Sequence, residues 1–184
     1  MRLRCAILDD YQTVALKLAD WLPIEDRVEL TVFDQPFAGT DETVAALQDF
    51  DIVCAMRERT PFRRDTLMQL PKLKLLITSG MRNASFELQA AKERGVTVCG
   101  TGTVGHPTAA LTIGLMLELM RRIGFENERM KRGERWQITI GHDVEGKTLG
   151  VIGLGKLGRK VAQVAAALGM KVVAGSPNLT PERC

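Results

Sequence analysis

Short apolar runs alternate with longer amphipathic stretches through the first hundred residues. Arg4–Leu8, Val28–Phe33, Asp51–Met56, Leu73–Thr78 and Val96–Cys99 have the length and apolar content of strands. Between them, segments 13–21, 41–49, 63–69 and 84–94 mix polar and apolar positions as helices do. Gly95 suits a helix C-terminus, and Pro71 a break before the next strand. Strands that alternate with helices predict a parallel α/β domain with right-handed crossovers.

The pattern then changes. From Pro107 to Arg132 the chain is apolar on nearly every helical face, which predicts one long helix ended by Gly133. The methionines in it are simplest as core filler. An apolar strand, Leu149–Ile152, then runs directly into Gly153-Leu154-Gly155-Lys156-Leu157-Gly158. A helix over 156–168, capped by Gly169, and a second strand, Met170–Ala174, follow.

That spacing of glycines is what a phosphate-binding turn requires. Gly153 lets the chain leave the strand in a tight turn, Gly155 lets a pyrophosphate approach the backbone, and Gly158 lets the helix pack on the strand. The unpaired amides and positive dipole end of the helix attract the phosphates. An NAD site would carry a carboxylate at the end of the second strand, where this chain has Gly175-Ser176-Pro177-Asn178, so the choice between NAD and NADP stays open. Thr180, Pro181 and Glu182 have the pattern of a helix start. One strand–helix–strand unit cannot cover both faces of a parallel sheet, so these 184 residues are expected to be the front part of a longer, two-domain protein.

Composition narrows the class. With 45% apolar residues, 26% charged residues and a net charge of +3, the chain offers no basic block for nucleic acid and no acidic tail. The longest apolar stretch, Ala109 to Met120, is too short to span a membrane. The apolar run at the start is too short for a signal peptide. Cys5, Cys54, Cys99 and Cys184 are widely spaced, which favours reduced thiols and a cytoplasmic protein over disulfides or a metal site, with the first three expected as small buried hydrophobes. Ligands collect at the carboxyl ends of parallel strands, here Arg57-Glu58-Arg59-Thr60-Pro61 and Ser79-Gly80-Met81-Arg82-Asn83, where two arginines suit a small anion or are solvated loop charges.

These segments together carry a resemblance. Arg57-x-x-Thr60-Pro61, Leu73–Leu76 with Ser79–Asn83, Arg94–Val98, the helix opening Pro107–Thr112, and Gly146–Gly155 resemble, in order along the whole chain, the D-isomer specific 2-hydroxyacid dehydrogenases, near their D-3-phosphoglycerate dehydrogenase-like members. The resemblance implies a flavodoxin-like substrate domain over residues 1–102, followed over 103–184 by the first βαβ unit of a Rossmann NAD(P)-binding domain. It implies hydride transfer between NAD or NADP and a D-2-hydroxyacid or 2-keto acid. Helix 107–132 carries more apolar surface than one small domain can cover, so it is expected to pack against a second chain, in a homodimer, or against the rest of the cofactor domain.

By the same resemblance Ser79, Gly80 and Met81 would meet the substrate carboxylate, with Ser79 also on the nicotinamide side, and Arg57 would face the substrate's distal anion. Thr108 would lie near the nicotinamide, Lys156 and Leu157 under the pyrophosphate, and Ser176 at the ribose. Ala110 stands where members usually have Glu, and Arg82 where Asp is common. The family's Arg, acid and His for proton transfer would lie beyond Cys184, leaving no catalytic residue in this chain. His106 reads as a helix cap and His142 as part of a Gly-His-Asp turn. Two other readings remain open: a nucleotide-binding or regulatory module without catalysis, and an assembly or interaction fragment.

Overall fold

The computed structural model describes residues 2–176 and residue 180, so the Thr180–Glu182 helix start and Cys184 lie largely outside the described residues. The chain divides into two compact units, 1–103 and 104–184.

In the first unit, strands β1 (Leu3–Ile7), β2 (Val28–Val32), β3 (Ile52–Ala55), β4 (Leu75–Thr78) and β5 (Thr97–Gly100) form one sheet in the order β2-β1-β3-β4-β5. Every pairing is parallel, with Cys5 opposite Ile52, Val53 opposite Leu76 and Leu76 opposite Val98. This is the flavodoxin-like doubly wound order. Helices α1 (Ala15–Leu18), α2 (Thr40–Leu47), α3 (Arg64–Met68) and α4 (Leu88–Glu93) occupy the connections. The 13–21 segment yields only one α-helical turn, followed by a 3₁₀ turn at Leu22–Ile24, because the Asp10 carboxylate accepts from the amides of Val14 and Ala15 and so starts α1 late.

Alternate strand residues point into one core. Ala6, Leu8, Val53, Ala55 and Leu76 meet Leu47, Phe50, Phe62, Leu67, Leu70 and Phe86 there. Phe62 is fully buried, and its ring meets Phe86 edge-on with centroids 5.5 Å apart. At the opposite edge of the sheet, Asp51 ties three strand starts together. Its carboxylate accepts from the Arg4 amide at 3.0 Å and from Lys74 Nζ at 2.7 Å, and these hydrogen bonds, Lys74 first, hold its pKa below the ordinary range. Cys5 is buried with its sulfur 3.8 Å from that of Cys54, whereas Cys99 is exposed, contrary to expectation, because it lies on the outer strand β5.

In the second unit the long helix is not continuous. It splits into α5 (His106–Arg121) and α6 (Ile123–Lys131) at Arg122, which takes a left-handed conformation with φ 57°. The cause is local: the Glu118 carboxylate accepts from the Gly124 amide at 2.7 Å and so supplies the new helix with a partner for its first turn. His106 is the first residue of α5 and not its cap; Gly105 holds that position, and no side chain caps the helix. Strands β6 (Thr148–Ile152) and β7 (Lys171–Gly175) pair in parallel around α7 (Lys156–Ala167), as the strand–turn–helix–strand pattern predicts.

A segment running back from α6 is pinned to both α6 and α5. Glu126 Oε1 accepts from the Thr139 amide at 2.8 Å and from its hydroxyl at 2.5 Å, and the His142 amide donates to Met120 O. Hydrogen bonding from the Thr139 hydroxyl is the main cause of a lowered Glu126 pKa.

Two measurements check this architecture. Phe62→Ala should destabilise the chain by about 3–5 kcal/mol in urea unfolding, since it empties a fully buried aromatic site. Because the folded-state pKa of Glu126 is depressed, its contribution is present above the ordinary glutamate range and lost as pH falls through and below it. Acid titration of the unfolding midpoint should therefore be shallower in Glu126→Gln than in the parent chain.

Candidate functional site

Two clusters of polar backbone and side chains stand at the carboxyl ends of strands, one in each unit. In the first unit the loops after β3 and β4 meet. The Arg57 amide donates to Ser79 Oγ at 3.1 Å, and the Gly80 amide donates to Thr101 Oγ1 at 3.1 Å. Arg57 is left-handed, with φ 54°, an uncommon conformation for a residue bearing a Cβ. Its guanidinium lies over the bare Cα of Gly80, where a Cβ would stand 2.5 Å from Nη1. Gly80 itself has φ 114°. Arg57 and Met81 are exposed, Ser79 is half-buried and Gly80 is buried, so the four residues adjoin with the Arg57 guanidinium as their exposed charged donor.

Sequence reasoning missed two residues of this cluster. Asn83 bridges the two loops, and Gly100 lets β5 approach: a Cβ on Gly100 would stand 2.6 Å from Gly80 O. The glycine at the end of a strand was the available signal for Gly100. Asn83 stood within the Ser79–Asn83 stretch, but its bridging role gave no signal, because Arg57 lies 26 residues away in the chain.

Arg59 has a different role from Arg57. It donates to Asp9 O at 2.8 Å and lies over the Tyr11 ring, 4.5 Å from its centroid. Asp9, also left-handed, accepts from Thr60 Oγ1 at 2.9 Å and from the Tyr11 hydroxyl at 3.0 Å. These bonds lash the end of β1 to the end of β3, so Arg59 serves structure.

In the second unit the glycines divide their work. Gly153 has φ 95° and turns the chain out of β6, its amide donating to Gly175 O at 2.7 Å. Gly158 packs so tightly that a Cβ would collide with Gly153 O and press on Val151. At Gly155 a Cβ would meet nothing among the described residues, leaving open space over the start of α7. Lys156 and Leu157 open that helix, Gly155 is its N-cap, and no side chain caps it. Its first amides therefore remain available to an acceptor.

Thr108 lies exposed in the first turn of α5, which packs along α7. A Cβ on Gly105 would stand 2.6 Å from Leu157 Cδ2, and His106 meets Lys160. Ser176 follows β7 directly and is half-buried. Open space at Gly155, an uncapped helix start and a glycine-tightened turn together fit the pyrophosphate of a dinucleotide. Among the described residues no group of three metal-ligating side chains occurs, and no helix is long and apolar enough to cross a membrane.

Residues 113–184 match the family model for the D-isomer specific 2-hydroxyacid dehydrogenase NAD binding domain. The chain belongs to the D-isomer specific 2-hydroxyacid dehydrogenase family. It is 34% identical over 145 residues to the D-3-phosphoglycerate dehydrogenase of Methanocaldococcus jannaschii, covering 77% of this chain and 27% of that one. It is also 34% identical over 140 residues to the hydroxypyruvate reductase of Thermotoga maritima, covering 74% of this chain and 45% of that one. The phosphoglycerate oxidoreductase of Vibrio cholerae superposes with a TM-score of 0.89 at 29% identity, covering 96% of this chain and 56% of its own. The chain thus spans less than half the length of those two curated relatives. The domain matched by the family model is the family's NAD-binding domain, in keeping with NAD or NADP as the dinucleotide of this site.

The contrast between two glycines can be measured. Gly158→Ala should lower the melting temperature of the chain by several degrees, because its Cβ meets a backbone oxygen. Gly155→Ala should leave the melting temperature nearly unchanged, since its Cβ enters open space.

Proposed function

We propose that this chain is the amino-terminal part of an NAD-dependent D-2-hydroxyacid dehydrogenase, with the substrate gripped by the first unit and the cofactor pyrophosphate by the second. The observation that supports this most directly is the Gly153–Gly158 turn, whose middle glycine has neither the positive φ of Gly153 nor the close packing of Gly158 and faces open space at the start of α7.

NAD supplies or accepts the hydride in this chemistry. This chain's own residues bind and orient. The first-turn amides of α7, at Lys156 and Leu157, hold the pyrophosphate, while Gly155 keeps its approach clear and Ser176 reads the ribose. Thr108 lies on the nicotinamide side. Ser79, Gly80 and Met81 orient the carboxylate of a 2-keto acid, with Ser79 also on the nicotinamide side. Arg57 takes a distal anion, as the phosphate-bearing substrate in the names of several relatives suggests.

Neither histidine is placed as an acid–base group: His106 meets Lys160, and His142 is held through its amide by Met120 O. In this reading the family's proton-transfer residues belong to sequence outside this chain, and the 184 residues alone have no dehydrogenase turnover. The outward stripe of Leu111, Leu115 and Leu119 on α5, each more than half exposed, supports a homodimer built on this helix.

A spectrophotometric assay of the complete gene product with NADH and a panel of 2-keto acids tests the reading. Turnover is expected from the complete protein and none from the 184-residue chain, and absence of turnover in both would favour a binding module without catalysis. In the complete protein, Gly155→Val should weaken NADH binding by about tenfold or more, because its side chain enters the pyrophosphate approach; unchanged affinity would place the phosphates elsewhere. Native mass measurement should give twice the subunit mass, and a monodisperse monomer would remove the dimer.

A further inference from the structure

Asn83 spends nearly all of its hydrogen-bonding capacity on joining two loops. Its Nδ2 donates to Arg57 O at 2.5 Å and to Thr78 Oγ1 at 3.0 Å, and its Oδ1 accepts from the Ser85 amide at 2.8 Å. Both amide protons and one acceptor site are therefore in use, and the side chain has one sensible orientation. Thr78 is buried at the end of β4, so Asn83 is anchored to the sheet on one side and holds the carbonyl of a loop arginine on the other.

That arginine is the residue whose backbone departs from the ordinary. Arg57 sits at φ 54°, a conformation in which a residue with a Cβ persists only when its surroundings impose it. Two bonds impose it here, the Asn83 donation to its carbonyl and its own amide's donation to Ser79 Oγ. The conformation directs the Arg57 side chain across the bare Cα of Gly80. Relaxation to an ordinary negative φ would swing the guanidinium away from that place.

We infer that Asn83 is the positioning residue for Arg57: it holds the backbone that aims the guanidinium at the distal anion of a phosphorylated or dicarboxylic 2-keto acid, without itself touching substrate. This inference rests on the proposed role of Arg57 as the anion grip. It follows that Asn83 sets discrimination between substrates with and without a distal anion, and leaves the hydride-transfer step alone.

Steady-state kinetics of the complete gene product on a matched pair tests it: phosphohydroxypyruvate, which carries the distal phosphate, and hydroxypyruvate, which lacks it. Asn83→Asp keeps size and the Oδ1 acceptor but replaces the donor facing Arg57 O with an oxygen. Its KM for phosphohydroxypyruvate should rise about tenfold, while KM for hydroxypyruvate and kcat for both stay within about twofold, as expected for lost ground-state binding of one substrate group. Asn83→Ala, a smaller and neutral change, should show the same selectivity and serves if Asn83→Asp does not fold.

Arg57→Ala on the same pair separates the two failures. If it raises KM for phosphohydroxypyruvate and the Asn83 variants do not, the positioning role is overturned and the grip stands. If Arg57→Ala changes neither KM, the grip itself is wrong and the inference falls with it. Equal losses on both substrates in the Asn83 variants would mark a purely structural residue and also overturn the proposal.

Discussion

Parallel strand pairing is the constraint from which the rest of this molecule follows. Because every strand in a parallel sheet points the same way, each must be reached by a crossover, and all the strand ends of one polarity gather along one edge. In the first unit that edge brings together Asp9, Arg57, Thr60 and Ser79, from the ends of β1, β3 and β4. The opposite edge collects the strand starts, and there Asp51 meets Arg4 and Lys74. One edge carries the candidate chemistry and the other carries ion pairs that hold register.

Polar groups at the first edge are distributed between two tasks. Arg59, with its backbone acceptor on Asp9 and its stacking on Tyr11, closes the gap between β1 and β3. Arg57, two residues earlier, has its backbone committed to Ser79 and Asn83 while its guanidinium rests on Gly80. A left-handed backbone beneath an exposed cation, held by two side-chain hydrogen bonds, is kept at some cost in folding energy. The glycine turn of the second unit divides in the same way: Gly158 is required by packing, whereas a Cβ at Gly155 would meet nothing among the described residues.

The second unit also presents apolar surface that its own residues leave uncovered. Ile152 on β6 and Val173 on β7 are exposed, as are Leu111, Leu115 and Leu119 on α5. A parallel sheet is stable with both faces covered, and the two strands described here carry a helix on one. This agrees with relatives in which the matched stretch is less than half of the chain.

The sequence by itself determined the elements whose signals are local. Strand and helix alternation, the Gly-x-Gly-x-x-Gly turn and the parallel α/β class were readable because side-chain periodicity and glycine spacing act over a few residues, whereas the flavodoxin-like form came from the family resemblance. Element ends were less legible: the 13–21 helix shrank to Ala15–Leu18, and the long helix broke at Arg122 where Glu118 caps Gly124. Cys99 became exposed because strand order, which no local pattern encodes, put β5 on the sheet's edge. Tertiary structure alone decided which of two similar arginines is structural and which is held ready, and it alone brought Asn83 to the carbonyl of Arg57, 26 residues away in the chain. Such partnerships arise from crossover topology and the approach of two loops at one sheet edge, and a chain read in one dimension holds no record of which loops will meet.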